Sequence, residues 1–297
     1  MESPIRLSYL IVTMNKLPYF KNGLKKLIAE KQNDEEIIIG DGNSTDGTKE
    51  YLEKMKTEGK IDDYTSEPDH CESPALNKLF LKARGEIIKI INDDDAYYYP
   101  IIRECKEFML NHPEIDILGM EGGSYKHALS GELVLHKVAG YTENYKRWQK
   151  EHKPFEFAVL GLMFRRSSLP ILGFWNLSFK NADAEYTFRS TAGPAVLAWC
   201  TNPAFVFIRT PEGVTMSNWD RMKKETSRLR EFYLDEKKPP LFVRETKALL
   251  RQFLNWSGSR GLKSANSPST WESLYKKGEK WLIEQNRNRK VEFLWSK

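Results

Sequence analysis

The chain has 297 residues, of which 40% are hydrophobic, 12% aromatic and 29% charged. This apolar content is enough to build a sizeable core, which excludes an intrinsically disordered protein. No run reaches the roughly 18 consecutive apolar residues of a membrane span, and the first residues lack the basic, apolar and small-residue segments of a secretory signal. We therefore expect a cytoplasmic protein with neither a transmembrane helix nor a signal peptide.

The formal net charge of +5 is small for this length but unevenly distributed. Residues 241–297 carry twelve Lys and Arg against five Glu, a net charge of +7, which leaves −2 for the first 240 residues. The three cysteines, Cys71, Cys105 and Cys200, have neither the number nor the spacing of a disulfide framework or a metal knuckle, so we expect reduced thiols.

The first hundred residues alternate β-branched runs with amphipathic, helix-like segments. The runs at Leu7–Thr13, Glu36–Ile39 and Ile87–Ile91 predict strands, and Leu17–Glu30 and Pro74–Ala83 predict helices between them. Such alternation is typical of an α/β fold with a mostly parallel central sheet flanked by helices. Ligands bind such sheets beyond the carboxyl ends of the strands, so functional residues should follow these runs.

Polar residues do follow each predicted strand, at Thr13-Met14-Asn15-Lys16, at residues 41–48 and at residues 92–95. Three consecutive aspartates at 93–95 repel one another unless a positive charge lies among them, and Mg²⁺ or Mn²⁺ bound with a diphosphate would supply it. The structural alternative is a solvated turn that caps the next helix. Residues 41–48 likewise suit either a simple turn or contact with a nucleobase.

The remainder of the chain shows weaker patterns. The Gly-, Tyr- and Lys-rich region that extends to about residue 152 is interpreted as loops and hairpins over the site, and the sequence becomes helix-like, basic and Trp-bearing after about residue 220. The elements predicted between these regions are a helix at Tyr98–Leu110 and buried strands at Ile115–Met120, Phe155–Phe164 and Ala195–Ile208.

Six segments of the first hundred residues occur in a recognisable order and spacing. They are Ile11-Val12-Thr13-Met14-Asn15-Lys16, Glu36 to Thr48, Ser66-Glu67-Pro68-Asp69, Ala75-Leu76-Asn77-Lys78, Ala83-Arg84-Gly85-Glu86 and Asn92-Asp93-Asp94-Asp95. Together they closely resemble family 2 glycosyltransferases of the GT-A (nucleotide-diphospho-sugar transferase) fold. The resemblance spans most of residues 5–100, the nucleotide-sugar half of that fold.

The resemblance implies roles for individual residues. It implies that Asp93 to Asp95 form the DxD motif, which holds the donor ribose and a divalent metal, with Asp94 and Asp95 the best candidates and Asp93 less certain. Lys78, Arg84 or Arg209 could meet the diphosphate charge, although each is also a plausible surface cation. The implied nucleotide-binding residues are Thr13, Asn15, Asp41, Asp46, Lys78, Asp93 and Asp94, with Thr13, Asp41 and Asp46 around the base.

The resemblance continues more weakly downstream. Residues 161–167 and 172–174 resemble the family's acceptor-side strand and turn, and Asn181 to Arg189 resembles the segment that bears the catalytic base. On that alignment Asp183 is the base. Because Ala184 departs from the family pattern, Glu185 is the alternative, and in a helix the two carboxylates would point to different faces.

The resemblance thus implies a metal-dependent, inverting glycosyltransferase of the hexosyltransferase type, which acts in polysaccharide biosynthesis. The expected cofactor is Mn²⁺ or Mg²⁺, the expected donor is a UDP-sugar, and the expected acceptor is a hydroxyl of a glycan or a lipid-linked molecule. The sequence lacks the Gln-x-x-Arg-Trp motif of the processive synthases, which favours addition of a single sugar. The alternatives are a GT-A nucleotidyltransferase and a non-catalytic nucleotide-sugar-binding or scaffold protein.

The predicted domains are a GT-A domain at 1–219, divided into a nucleotide-sugar half at 1–100 and an acceptor half at 101–219, and a basic helical extension at 220–297. Apolar and aromatic residues fall at helical spacing near 242–256 and 271–282. These stripes suit packing on the catalytic domain, contact with an anionic membrane surface through 241–297, or, least favoured, contact with nucleic-acid phosphates.

Overall fold

The structure is a computed structural model that describes residues 4–69, 72–127, 132–210, 219–235 and 268–295. Its helices are Leu17–Glu30 (α1), Thr48–Thr57 (α2), Glu72–Lys82 (α3), Tyr99–Asn111 (α4), Tyr141–Glu151 (α5), Leu169–Leu172 (α6), Ala182–Ala192 (α7), Trp219–Leu234 (α8) and Pro268–Asn286 (α9). Its strands are Leu7–Thr13 (β1), Glu35–Asp41 (β2), Asp63–Ser66 (β3), Ile87–Asn92 (β4), Ala96–Tyr97 (β5), Ile117–His127 (β6), Leu133–Lys137 (β7), Leu162–Arg165 (β8), Leu197–Phe207 (β9) and Phe293–Leu294 (β10).

The strands of the described residues form one sheet in the order β10-β9-β6-β8-β4-β1-β2-β3, with β5 on β9 and β7 on β6. Pairing is parallel among the first four strands, where β1 lies between β2 and β4, and β3 follows β2. Beyond β4 the sheet is mixed, because β8 runs antiparallel to both β4 and β6. The α/β class is confirmed, and the sheet, which the sequence predicts to be mostly parallel, is parallel from β4 to β3 and mixed beyond β4.

The central strands are covered on both faces, which explains their continuous apolar runs. One face packs against α1 and α4, with Phe20, Leu24 and Ile102 in its core, and the other packs against α3, with Leu79 and Phe80. Since both faces are covered, the open edge at the carboxyl ends of β1, β2 and β4 is the place where polar residues can meet a ligand.

One predicted strand is shorter than expected. Of Phe155–Phe164, only the last residues belong to β8, which is Leu162–Arg165. The amide of Phe155 donates to Thr191 Oγ1 at 3.1 Å, and the amide of Phe157 donates to Thr187 Oγ1 at 3.4 Å. Side chains of α7 therefore satisfy main-chain groups that a neighbouring strand would otherwise pair, while both phenylalanines stay buried. The region expected to hold only loops and hairpins also contains α5.

The C-terminal elements pack on the sheet. Trp271, Leu274, Tyr275 and Leu282 of α9 are buried in a cluster that includes Val206 of β9. Accordingly, the second apolar stripe of the sequence faces the core. The first stripe, at 242–256, lies outside the described residues, and the division of the chain at residues 219 and 220 stays a prediction. No helix in the described part of the chain is both long and apolar enough to cross a membrane.

Adjacent residues of α9 offer a test of this packing. Leu282 is fully buried, whereas the neighbouring Ile283 is 53% exposed. We expect Leu282→Ala to lower the free energy of unfolding by about 2–5 kcal/mol, because it removes buried methyl groups and leaves a cavity. Ile283→Ala should change it by less than about 0.5 kcal/mol. Urea denaturation of both variants gives the comparison, and equal losses would contradict the packing of α9 on the sheet.

Candidate active site

A cavity of about 130 Å³ opens at the carboxyl ends of β1 and β4. Its walls include the turn after β1, the start of α3, the turn after β4, the segment that leads into α7 with the first turn of that helix, and the residues that follow β9. The cavity lining includes Lys16, Glu72, Asp94, Trp175, Phe179, Lys180, Asp183, Arg209 and Thr210. The structure thus brings Asp94 and Asp183, which lie far apart in sequence, to one cavity.

Lys16 lies between the first two aspartates of the turn after β4. Its ammonium is 3.1 Å from Asp93 Oδ1 and 2.9 Å from Asp94 Oδ2. Thr210 also donates its hydroxyl to Asp94 Oδ2, at 2.6 Å. Desolvation would lower the pKa of Lys16, but the charges of Asp93 and Asp94 hold it well above its usual range. Burial raises the pKa of Asp93 to about 6, against the lowering effect of Lys16.

Asp95 is turned away from the cavity. One of its carboxylate oxygens accepts the amide N–H of Ile208 at 2.6 Å, and the other accepts the side-chain amide of Asn92 at 3.0 Å. The residue is only 2% exposed, and burial followed by the charge of Asp94 raises its pKa well above the usual range. Of the predicted metal ligands, Asp95 therefore joins the turn to β9, and Asp94 faces the cavity.

The residues present fit a divalent ion that the substrate helps to hold. The described residues contain no group of three or more His, Cys, Asp and Glu side chains placed to hold a metal by themselves. Magnesium sites commonly use one or two carboxylates and complete their octahedron with water and substrate phosphates. Asp94, with Asp93 beside it, matches that pattern. The assignment of the metal to these residues stays a prediction.

The residues predicted around the nucleobase lie at the same sheet edge but outside the lining of this cavity. Asp41 accepts hydrogen bonds from the hydroxyl of Ser66 at 2.7 Å and from the amide of Ser44 at 3.2 Å. Asp46 accepts the amide of Leu17 at 2.8 Å. These carboxylates tie the turn after β2 to the end of β3 and to the start of α1, so in this structure they shape the loops.

Asn15 and Thr13 belong to the same group of turns. Asn15 has a positive φ of 54° and accepts the amide of Thr45 at 2.8 Å through its side-chain oxygen, while Thr13 is buried at the end of β1. Asparagine tolerates this left-handed conformation better than most residues. The polar sequence after β1 is thus a tight turn locked to the turn after β2.

The other predicted diphosphate ligands divide between cavity and surface. Lys78 pairs with Glu67 at 2.9 Å and Asp69 at 3.1 Å, and Arg84 pairs with the buried Glu36 at 2.8 Å. Neither lies in the wall of the cavity, whereas Arg209 does. Of the basic residues proposed from sequence, Arg209 is therefore the one placed to meet an anion in this cavity.

Asp183 lies in the first turn of α7, where the helix dipole favours a negative charge. It is accessible from the cavity, yet the surrounding protein limits its solvation and raises its pKa to about 6, while the Trp175 indole N–H, 3.5 Å from Oδ1, lowers it. Glu185 points elsewhere. It is buried and accepts two hydrogen bonds from Arg189, at 2.8 Å and 3.1 Å. The geometry therefore places Asp183, and not Glu185, at the cavity, and the assignment of the base stays a prediction.

Sequence patterns did not single out several residues of the cavity wall. Lys16 was part of the polar segment after the first strand, but nothing in that segment marked it as the partner of the aspartates. Glu72, Trp175 and Thr210 belong to no pattern that pointed to the site. Desolvation, then the charge of Asp183, raises the pKa of Glu72 to about 7, which shows how closely the carboxylates share this cavity.

The model of the family described as "Glycosyl transferase family 2" matches residues 8–169, more than half of the chain. The chain belongs to glycosyl transferase family 2. This family 2 glycosyltransferase has no match among curated proteins. Its membership decides between the expected enzyme classes, because a sugar transferase rather than a nucleotidyltransferase accounts for residues 8–169. It also supports an enzyme over a non-catalytic nucleotide-sugar-binding or scaffold protein.

Solved structures show the same GT-A fold. The mannosyltransferase PcManGT from Pyrobaculum calidifontis, in complex with GDP-Man and Mn²⁺, is 17% identical, with a TM-score of 0.57 over 95% of this chain and 86% of that one. S. aureus TarS 1-349 in complex with UDP-GlcNAc is 14% identical, with a TM-score of 0.53 over 77% of this chain and 65% of that one. A further S. aureus TarS structure is matched over 76% of this chain but only 43% of its own length, at a TM-score of 0.52 and 15% identity.

The inward position of Asp95 can be tested by its effect on stability. Asp95→Ala leaves the buried amide of Ile208 without an acceptor, and we expect it to lower the free energy of unfolding by about 1–3 kcal/mol in the absence of ligand. Asp63→Ala is the control. It removes a surface ion pair with Lys82 at 2.8 Å, which should cost less than about 1 kcal/mol. If Asp95→Ala is no more costly than the control, Asp95 is not part of the scaffold.

Proposed function

We propose that this family 2 glycosyltransferase transfers a single sugar, with inversion at the anomeric carbon, from a nucleotide-diphosphate sugar to a hydroxyl of a glycan or a lipid-linked acceptor. The observation that carries the proposal is the presence of Asp94 and Asp183 in one cavity at the carboxyl ends of β1 and β4. In the proposed inverting transfer, Asp94 serves the leaving diphosphate and Asp183 serves the attacking hydroxyl.

The cavity suits an anionic donor. Lys16, Lys180 and Arg209 contribute positive charge to its wall, and Trp175 and Phe179 contribute aromatic surface on which a sugar ring can lie. PcManGT binds GDP-Man with Mn²⁺, and TarS 1-349 binds UDP-GlcNAc, which supports a nucleotide sugar as the donor here. We take a UDP-sugar as the first donor to test. A Mn²⁺ or Mg²⁺ ion held by Asp94 and the diphosphate would neutralise the charge that develops on the leaving group.

Asp183 performs the proton transfer in this mechanism. Its carboxylate accepts the proton of the acceptor hydroxyl as that oxygen forms a bond to the anomeric carbon, and the bond from that carbon to the diphosphate oxygen breaks on the opposite face. The proton remains on Asp183 and the electron pair leaves with the nucleoside diphosphate, so no covalent intermediate forms. Trp175 steadies Asp183 through its indole N–H and favours its ionised form.

The biological setting of the reaction is part of the proposal. We infer that the sugar is added singly, since the sequence lacks the Gln-x-x-Arg-Trp motif of processive synthases. We propose further that the enzyme is cytoplasmic, acts in polysaccharide synthesis and can approach a membrane-bound acceptor.

Substitution of the base gives the direct test. We expect Asp183→Asn to lower kcat by about 10²- to 10⁴-fold, because it removes general-base catalysis. Nucleotide binding should persist, so UDP at about 100 times its dissociation constant with Mn²⁺ should still add about 2.7 kcal/mol of stability. Sugar transfer and thermal unfolding are measured on the same preparations. In the comparison variant Glu185→Gln the base is intact, and a loss of turnover confined to that variant would overturn the assignment.

The pKa of Asp183 also predicts a pH profile. Because the base must be ionised and its pKa is about 6, kcat/KM should fall about tenfold per pH unit below pH 6 and level off above it. Trp175→Phe removes the N–H that lowers this pKa, so the acidic limb should move to higher pH. Initial rates between about pH 5 and pH 8 provide the measurement. An acidic limb that stays in place in Trp175→Phe would show that another group controls it.

A further inference from the structure

The ammonium of Lys16 provides the positive charge that the aspartate turn needs. Its side chain is only 11% exposed, and those of Asp93 and Asp94 are 6% and 8% exposed. Two such carboxylates would repel each other strongly without a cation between them. Lys16 reaches both from the turn before α1, so the first strand of the fold delivers the cation to the end of β4.

Lys16 and a divalent ion compete for the same two carboxylates. Asp94 Oδ2 already accepts hydrogen bonds from both Lys16 and Thr210, and Asp93 Oδ1 accepts one from Lys16. A metal ligated at about 2.0–2.1 Å by either carboxylate would lie within a few ångströms of the ammonium, and the two cations would repel in this poorly solvated corner. Repulsion between the two cations therefore favours withdrawal of the ammonium when these carboxylates serve as ligands.

We propose that Lys16 is an internal counter-cation of Asp93 and Asp94 that yields to the divalent ion and then pairs with the diphosphate of the donor. The inference rests on the proposed function and makes Lys16 a residue that binds the donor. The cavity supports the second half of the proposal, since Lys16 lines it beside Asp94, where the diphosphate would lie. The side chain is flexible and carries three donors, so it can leave one pair of oxygens for another.

The affinity for Mn²⁺ tests the role of Lys16 without a measurement of turnover. Without nucleotide, Lys16→Met should bind Mn²⁺ at least about tenfold more tightly than the wild-type protein, because the competing charge is gone. Lys16→Arg, which keeps the charge, should bind Mn²⁺ about as weakly as the wild type. Free Mn²⁺ measured by electron paramagnetic resonance gives these affinities. At saturating Mn²⁺, calorimetry should show weaker UDP binding by Lys16→Met, by about tenfold.

Two further variants make the test decisive. Lys21→Met removes a lysine of α1 that lies against Tyr51, and it should change neither affinity. If Lys16→Met does not fold, Lys16→Gln keeps hydrogen-bond donors between the carboxylates without the charge, and it should show the same tightening of Mn²⁺ binding. Unchanged or weaker Mn²⁺ binding in the neutral variants would overturn the assignment of Lys16 as the counter-cation. Unchanged UDP affinity at saturating Mn²⁺ would overturn the transfer of Lys16 to the diphosphate.

The Mn²⁺ measurement also separates this inference from the proposed function. If the neutral variants bind Mn²⁺ more tightly but the wild-type protein transfers no sugar from any nucleotide donor, the proposed function fails and the assignment of Lys16 as counter-cation holds. If the wild type transfers sugar and the neutral variants bind Mn²⁺ no more tightly, the proposed function holds and the assignment of Lys16 as counter-cation fails.

Discussion

The structure depends on how three adjacent carboxylates are accommodated at the end of a buried strand. Each aspartate of the turn after β4 has its own partners: Asp93 has Lys16, Asp94 has Lys16 and Thr210, and Asp95 has Asn92 and the amide of Ile208. Removing charge from water is costly unless hydrogen bonds or an opposite charge replace the solvent. The turn therefore requires elements from the beginning, the middle and the end of the chain to be in place before it is stable.

This requirement gives the C-terminal region a role in the site. Trp271 of α9 donates its indole N–H to the main-chain carbonyl of Asp94 at 2.8 Å, and its ring packs on Tyr19 of α1. Gly278 of the same helix lets it approach the sheet, because a Cβ there would lie 3.3 Å from Val206. The helix thus supports the aspartate turn from behind, on the side away from the cavity. The aromatic residues of 271–282 are explained by this contact, and a membrane surface is not needed to account for them.

The sequence predicted the parts of this arrangement that are local. β1, β2, β4 and α3 follow from periodicity within a few residues of each end, because the central strands are buried on both faces and their apolar runs are unbroken. The position of the candidate site at this edge of the sheet follows from the fold rule that ligands bind beyond the carboxyl ends of parallel strands. The family's motifs indicate Asp94 and Asp183 as site residues, and the structure brings them to one cavity.

What the sequence could not predict depends on pairing between distant residues. Asp94 and Asp95 are neighbours with the same side chain, and their difference comes from Ile208 and Thr210, more than a hundred residues away. The extended segment before β8 likewise resembled a strand because its phenylalanines are buried, although threonines of α7 satisfy its amides. Local patterns report burial well but do not report which group supplies a hydrogen bond or a charge.

The hydrogen-bond partners of the two carboxylates also explain why Asp183, and not Glu185, is available for chemistry. Both lie near the start of α7, yet Glu185 is committed to Arg189, which also donates to the carbonyl of Phe174 at 2.9 Å and so holds the segment that leads into Trp175. The pair of Glu185 and Arg189 fixes the loop, and the loop places the Trp175 indole beside Asp183. Desolvation raises the pKa of that carboxylate, and the indole N–H offsets part of the rise. One carboxylate of the helix is thus used to position the partner of the other. A base with a pKa of about 6 is ionised at neutral pH and remains basic enough to accept a proton from a hydroxyl as that hydroxyl attacks.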